Sequence, residues 1–402
     1  MALTGLRWWL LAVACAFTGG LAPCRAASAD ESRSGPPDLT DRSIPQLTQD
    51  AHSGSVPAQL ELAHRYARGI GVAASAETAN SWYLKAANAG SDVAAYNLGV
   101  AALNGFGTEK NPAKAVTWFE MAATRGSVKG QSALGGLYLK GKGVPLNYDL
   151  ALKWLTNAAE KGDANAENDL GYIFAHGLGV PADDARSVEW LKRAVRHGQS
   201  NAEVSLGVRM MLGKGVPKDE VAAAKLFREA AEQNDAQGFY ALGLCLHEGR
   251  GLSRNDHEAA RWFQRASDRG LAKAQYALAV LQYFGDGGKP NVEQALRWLR
   301  KAAESGYAPA EVWLGRQYED GRYLGQDYAE AAAWFCKAIE QGDGEAEYRL
   351  GLMYQRGTGV ERDLKEAKRL FEQSVRHGYT DAGANLAEIK DPFDRQGNGE
   401  NE

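Results

Sequence analysis

Leucine returns every 36 residues along this chain, at Leu62, Leu98, Leu134, Leu170, Leu206, Leu242, Leu278, Leu314, Leu350 and Leu386. The next position is Gly or Ala each time. Tryptophan keeps the same period at Trp82, Trp118, Trp154, Trp190, Trp262, Trp298 and Trp334, with Leu226 and Leu370 in the two remaining registers. No insertion or deletion interrupts the pattern after Ser55. A fixed period of this length predicts a stack of like units, with the core spread along the chain rather than gathered around one pocket.

Residues 91–126 show what one repeat contains. Ala94, Leu98, Gly99 and Ala102 fall at helical spacing and predict a first helix with a stripe of small residues. Gly105-Phe106-Gly107 ends it. Asn111 before Pro112 then gives an N-cap and a first helical position. The second helix carries Ala115, Trp118, Ala122 and Ala123 on one face and stops at Gly126. The cap recurs as Ser75, Asn111, Asn147, Asp183, Asp219, Asn255, Asn291, Asp327 and Asp363. The stop residue is Gly except at Asn234, and Asn also tolerates a left-handed C-cap. Each repeat therefore predicts an antiparallel helical hairpin that needs its neighbours to bury both faces. The Gly or Ala after each Leu lets adjacent helices approach, and Trp is expected to fill the space opposite.

The ends differ. Arg7 followed by Trp8-Trp9-Leu10-Leu11-Ala12-Val13-Ala14 reads as a secretory signal, with Ala27-Ser28-Ala29 as the cleavage site. The apolar run is too short for a lasting transmembrane anchor. Pro23 directly before Cys24 argues against lipidation there. The expected plan is a signal peptide over 1–29, a flexible leader over 30–54, the repeats over 55–389 and a disordered tail over 390–402. This predicts a periplasmic or secreted protein. Of the four cysteines, Cys15 and Cys24 leave with the signal. Cys245 and Cys336 sit in different repeats, and stacked helices lie roughly 8–10 Å apart, beyond the reach of about 7 Å that a disulfide allows. Two unpaired, buried thiols are expected. A formal charge of −4 with no basic cluster excludes a nucleic-acid footprint.

The recurring Ala-x-x-x-Leu-Gly, Gly-x-Gly-Val loop and Ala-x-x-Trp-x-x-x-Ala-Ala-x-x-Gly resemble the Sel1-like repeat family, a relative of the tetratricopeptide repeat. The resemblance covers Ser55–Gly378 as nine repeats, with Tyr379–Ile389 as a C-terminal capping helix. Tyr323 departs from it, standing where the loop's second Gly belongs. The resemblance implies an all-α fold, a right-handed α-solenoid of nine hairpins plus the cap. It further implies a non-catalytic adaptor or regulator in the bacterial envelope, binding a protein or peptide segment in a concave groove. A scaffold for envelope polysaccharide assembly is the alternative. Some cysteine-rich secreted members are associated with penicillin binding, but their paired cysteines are absent here.

Chemistry-bearing motifs are scarce. The Gly-x-Gly pairs do not continue into phosphate loops, and no Gly-x-Ser-x-Gly, Ser-x-x-Lys or His-Glu-x-x-His occurs. No catalytic, cofactor or metal residues are assigned. Cys245, His247 and His257 form only a thin constellation without repeated ligand spacing. His197 and His377 precede helix-ending glycines, where a cation suits the helix dipole. If the hairpins stack as in tetratricopeptide arrays, the first helices line the groove, with positions two before and two, five and six after the Leu pointing inward. These give Tyr96 and Asn104 in repeat two, Tyr172 and His176 in repeat four, and Tyr240, His247 and Glu248 in repeat six. Repeat seven gives Tyr276, Tyr283 and Phe284, repeat eight Arg316, and repeat nine Tyr348 and Arg356. Tyr240, Tyr276, Tyr283, Phe284, Arg316 and Tyr348 are expected to form one aromatic band, since Tyr and Arg most often anchor interfaces. Alternatively, some of these tyrosines simply pack between neighbouring first helices.

Overall fold

Asn111 accepts a hydrogen bond from the Lys114 amide at 2.9 Å, and Asn147, Asp183, Asn255, Asn291 and Asp327 cap their helices in the same way. These caps set where each second helix begins, and a left-handed residue closes it, Gly126 at φ 93° and Asn234 at φ 60°. The protein, seen here in a computed structural model, is described at residue 39 and residues 41–389. The expected signal peptide, its cleavage site and the tail lie outside the described residues.

Twenty helices and no strand occur among the described residues, in two compact units, 1–219 and 220–402, with the chain boundary falling within repeat five. The first unit holds α1 (Ile44–His52), α2 (Val56–Arg68), α3 (Ala76–Asn88), α4 (Asp92–Asn104), α5 (Pro112–Thr124), α6 (Val128–Lys140), α7 (Tyr148–Ala159), α8 (Ala164–His176), α9 (Asp184–Arg196) and α10 (Ser200–Leu212). The second holds α11 (Glu220–Glu232), α12 (Ala236–Glu248), α13 (Asp256–Asp268), α14 (Ala272–Phe284), α15 (Val292–Glu304), α16 (Ala308–Asp320), α17 (Tyr328–Ile339), α18 (Gly344–Arg356), α19 (Leu364–Arg376) and α20 (Ala382–Glu388). From α2 onward, even numbers are first helices and odd numbers second helices.

The residue after each Trp register, not the Trp, fills the space opposite the small residue. A Cβ on Gly99 would lie 2.5 Å from the Phe119 ring, and one on Gly171 would lie 2.7 Å from Leu191. Phe119, Leu155, Leu191, Phe263, Leu299, Phe335 and Phe371 are all buried. Trp82 and Trp334 are buried, whereas Trp118, Trp154, Trp190, Trp262 and Trp298 are only partly so. Their rings carry cations instead: Lys85, Arg193, Arg265, Lys301 and Lys337, each one turn on, lie 3.7–4.8 Å from a Trp ring. At Trp190, Trp262 and Trp298 this makes a half-wet cation–π stripe, while Trp82 and Trp334 belong to the core.

Three further expectations need correction. Residues 44–52, assigned to the flexible leader, form α1, with Leu47 and Ala51 fully buried against Leu62 and Trp82. His197 and His377 do more than face a dipole. His197 Nδ1 lies 2.7 Å from the fully buried Glu167, which Arg193 also reaches at 3.0 Å, and His377 Nδ1 lies 2.8 Å from Glu347. Finally, both thiols are free, but only Cys245 is buried. Burial pushes its thiol up to about 12, while Cys336 is exposed.

Candidate functional site

In seven of the nine repeats the first helix carries Gln or Glu three before its Leu, with Ala95 and Phe239 as the exceptions. Gln59, Gln131 and Gln275 are buried and donate to the last turn of the helix before, at Ala51, Ala123 and Ser267 (3.0, 3.3 and 3.4 Å). With that face fixed, the opposite one presents the variable residues. In the first unit they are spaced out. The half-buried Tyr96 ring sits 5.6 Å from Phe119, and exposed Asn104 donates to the Val100 carbonyl. The Tyr172 and His176 rings lie 4.1 Å apart, and His176 Nδ1 is 2.9 Å from the Tyr172 carbonyl. Asp169 packs beside Gly136, and burial raises its carboxyl to about 6 against the opposing pull of Lys140.

In the second unit the expected band divides into parts. Tyr240 and Tyr276 are each 5% exposed. They rest on Phe263, and on Tyr307 and Trp313, so their rings form a floor rather than anchors. Burial pushes both phenols upward. Arg316 is engaged in a lattice of charges: it pairs with Glu345 at 3.4 Å, Glu345 with Arg349 at 2.8 Å, and Arg349 with Glu319 at 2.8 Å. His247 is held at 2.6 Å by Asp256, which also takes Arg254 at 2.6 Å. Burial alone would raise Asp256, but the bonds from Arg254 and His247 outweigh it and hold the carboxyl low. Burial raises Glu248, which pairs loosely with Arg250 at 3.6 Å. Tyr348 packs on Phe371 and Tyr379. Arg356 is exposed and lines a shallow cleft of about 380 Å³ with Asp320, Gln326 and Tyr328.

Among the described residues of this unit, exposed rings gather around Tyr283. Tyr283 contacts Phe284, Trp313 and Tyr323 at 5.1–5.6 Å between ring centres. Phe284 is 38% and Tyr323 44% exposed, while Trp313, against which Tyr283 packs, is buried. The sequence reading missed Trp313 and Tyr323 as members. The signal was present, because Tyr323 replaces the loop's second Gly. Elsewhere that Gly is required: at Gly251 a Cβ would lie 2.0 Å from the Glu220 carbonyl, and at Gly359 2.5 Å from Tyr328. A side chain there cannot nest against the preceding second helix, so Tyr323 turns out to meet Tyr283.

The Sel1 repeat model matches this chain nine times, over residues 56–91, 92–127, 128–163, 164–199, 200–235, 239–271, 272–307, 308–343 and 344–379. The chain therefore belongs to the Sel1 repeat family, and its architecture is an α-solenoid. Among solved structures, it is similar to a Sel1 repeat protein from Oxalobacter formigenes (26% identity, TM-score 0.55, covering 91% of this chain and 98% of that one). It is also similar to a protective antigen of uropathogenic Escherichia coli displaying the SLR fold (28% identity, TM-score 0.54, covering 86% and 82%). No curated protein sequence matches the chain. Sel1 and tetratricopeptide-like repeat proteins generally mediate protein–protein interaction and are typically non-catalytic scaffolds. Among the described residues, no helix is long and apolar enough to cross a membrane, and no group of three His, Cys, Asp or Glu residues converges as a metal site.

Proposed function

We propose that this protein is a non-enzymatic adaptor of the bacterial cell envelope that holds a peptide or protein segment on the first-helix face of its repeats. One observation carries the reading: the repeat leucines from Leu62 to Leu350 are buried, while Phe284 and Tyr323 hold their rings in solvent on either side of Tyr283, which packs on buried Trp313. Exposed aromatic side chains cost solubility and are the usual anchors of interfaces. The signal-like N-terminus supports an envelope or secreted location. One experiment tests both parts. Cells producing the tagged chain are fractionated, and partners are captured from the fraction that holds it, with wild type and with Tyr283→Ala/Phe284→Ala/Tyr323→Ala. The expected result is a periplasmic or secreted pool, with a partner retained by wild type and lost by the folded triple variant. A cytosolic pool would overturn the location, and equal capture by both would overturn the site.

A further inference from the structure

Lys273 opens the second unit's aromatic stretch and is the one lysine there that the fold treats badly. It stands in the first turn of α14, half-buried, with its ammonium 4.7 Å from the centre of the buried Tyr240 ring. Tyr276 lies one turn on along the same helix and meets Tyr307. Among the described residues no carboxylate pairs with Lys273, although the unit's arginines at 250, 316, 349 and 369 all have acid partners. Burial pulls the amine down to about 8, and Asp235 only partly opposes this. The ammonium has lost water without gaining an ion pair that makes up for it, which is a cost the fold bears. An anionic group delivered from outside would relieve it.

The spacing adds a second constraint. At 3.6 residues per turn, Lys273, Tyr276, Val280, Tyr283 and Phe284 fall within about 100° of one helix face. At about 1.5 Å of rise per residue, Lys273 and Tyr283 lie about 15 Å apart along the axis. Extended chain covers that distance in about five residues. Resting on the interaction reading above, we propose that the bound segment is an acidic peptide. Its carboxylate meets Lys273, and an aromatic or large aliphatic side chain about five residues away lies on Tyr283, Phe284 and Tyr323. The mixed charges of the Arg316–Glu345–Arg349–Glu319 lattice are already mutually satisfied. Charge complementarity on this face therefore points to Lys273.

The test uses fluorescein-labelled peptides, blocked at both ends, in which Glu and Trp are separated by two, five or eight positions of Gly-Ser chain. Binding to the full chain is read by anisotropy. The five-position peptide is expected to bind best, and its Gln-for-Glu version to bind about tenfold more weakly, as befits one charge-assisted bond. Lys273→Met should lose the same factor and no longer distinguish Glu from Gln, a non-additivity that pairs the two groups. The same variant should melt at a higher temperature, so loss of binding cannot be loss of fold. Tyr283→Ala/Phe284→Ala should weaken every peptide while keeping the Glu-over-Gln preference. Equal binding by wild type and Lys273→Met, no preference for Glu, or no saturable binding by any peptide would each overturn the proposal. If those results coexist with a captured partner that depends on Tyr283, Phe284 and Tyr323, the interaction reading stands and only the acidic-peptide chemistry falls.

Discussion

Phe119 and Trp118 are neighbours in α5 with unequal burdens. Phe119 is 1% exposed and occupies the space that Gly99 leaves, so Phe119→Ala opens a cavity that α4 cannot collapse into. A loss of about 3–5 kcal/mol is expected, against about 1 kcal/mol for the half-buried Trp118→Ala, both read by urea denaturation. Asp169 makes a case of the opposite sign. Its folded carboxyl titrates at about 6, above its ordinary value of 3.8. Folding thus favours the protonated form, so the cost is small below pH 4, builds between pH 4 and pH 6 and is complete above that. Asp169→Asn should therefore be more stable than wild type above pH 4, with an advantage that widens by about 1 kcal/mol from pH 5 to pH 8 in parallel denaturation curves.

At the scale of helices, α1 acts as the second half of a repeat that lacks its first. Gln59 donates to Ala51 as Gln131 does to Ala123, and Ile44 lies 3.8 Å from the space a Cβ on Gly71 would take, where other repeats place a preceding second helix. Arg65 further ties the segment down through the Leu39 and Arg42 carbonyls. A chain lacking residues 39–54 exposes Leu62, Ala63 and Trp82, and should melt measurably lower in calorimetry. Losing Leu47 alone forfeits about 1.5–3 kcal/mol of burial. This helix was legible in principle: Leu47, Ala51 and Gly54 stand one period before Tyr83, Ala87 and Gly90. It was missed because Ser, Pro and charge dominate the surrounding residues and no Trp or capping Asn marks it. Elsewhere the hairpins, caps and stops could be read directly, since each rests on local chemistry that repeats. The surface could not. Spacing alone does not separate Tyr276, which sinks onto Trp313, from Tyr283, which meets solvent beside Tyr323. That choice depends on which neighbour is large, and Trp313 sits outside every repeated register.

For the molecule as a whole, stability is assembled from like pieces, and the proposed binding strip lies where that likeness breaks. Tyr323 breaks a glycine rule kept at the equivalent position of every other repeat, and Lys273 is half-buried with only a partial electrostatic offset from Asp235. Both lie in the second unit, around one strip of α14, where the proposal above places recognition. The buried staples have a different consequence. Glu167–His197, Glu347–His377, Arg193 to the Ala159 carbonyl and Arg125 to the Ala87 carbonyl all close over 38 residues or fewer. No bond among them waits for a distant part of the chain. A nascent polypeptide can thus finish each hairpin shortly after it emerges, amino end first, sheltering its leucines and phenylalanines while later repeats are still being made.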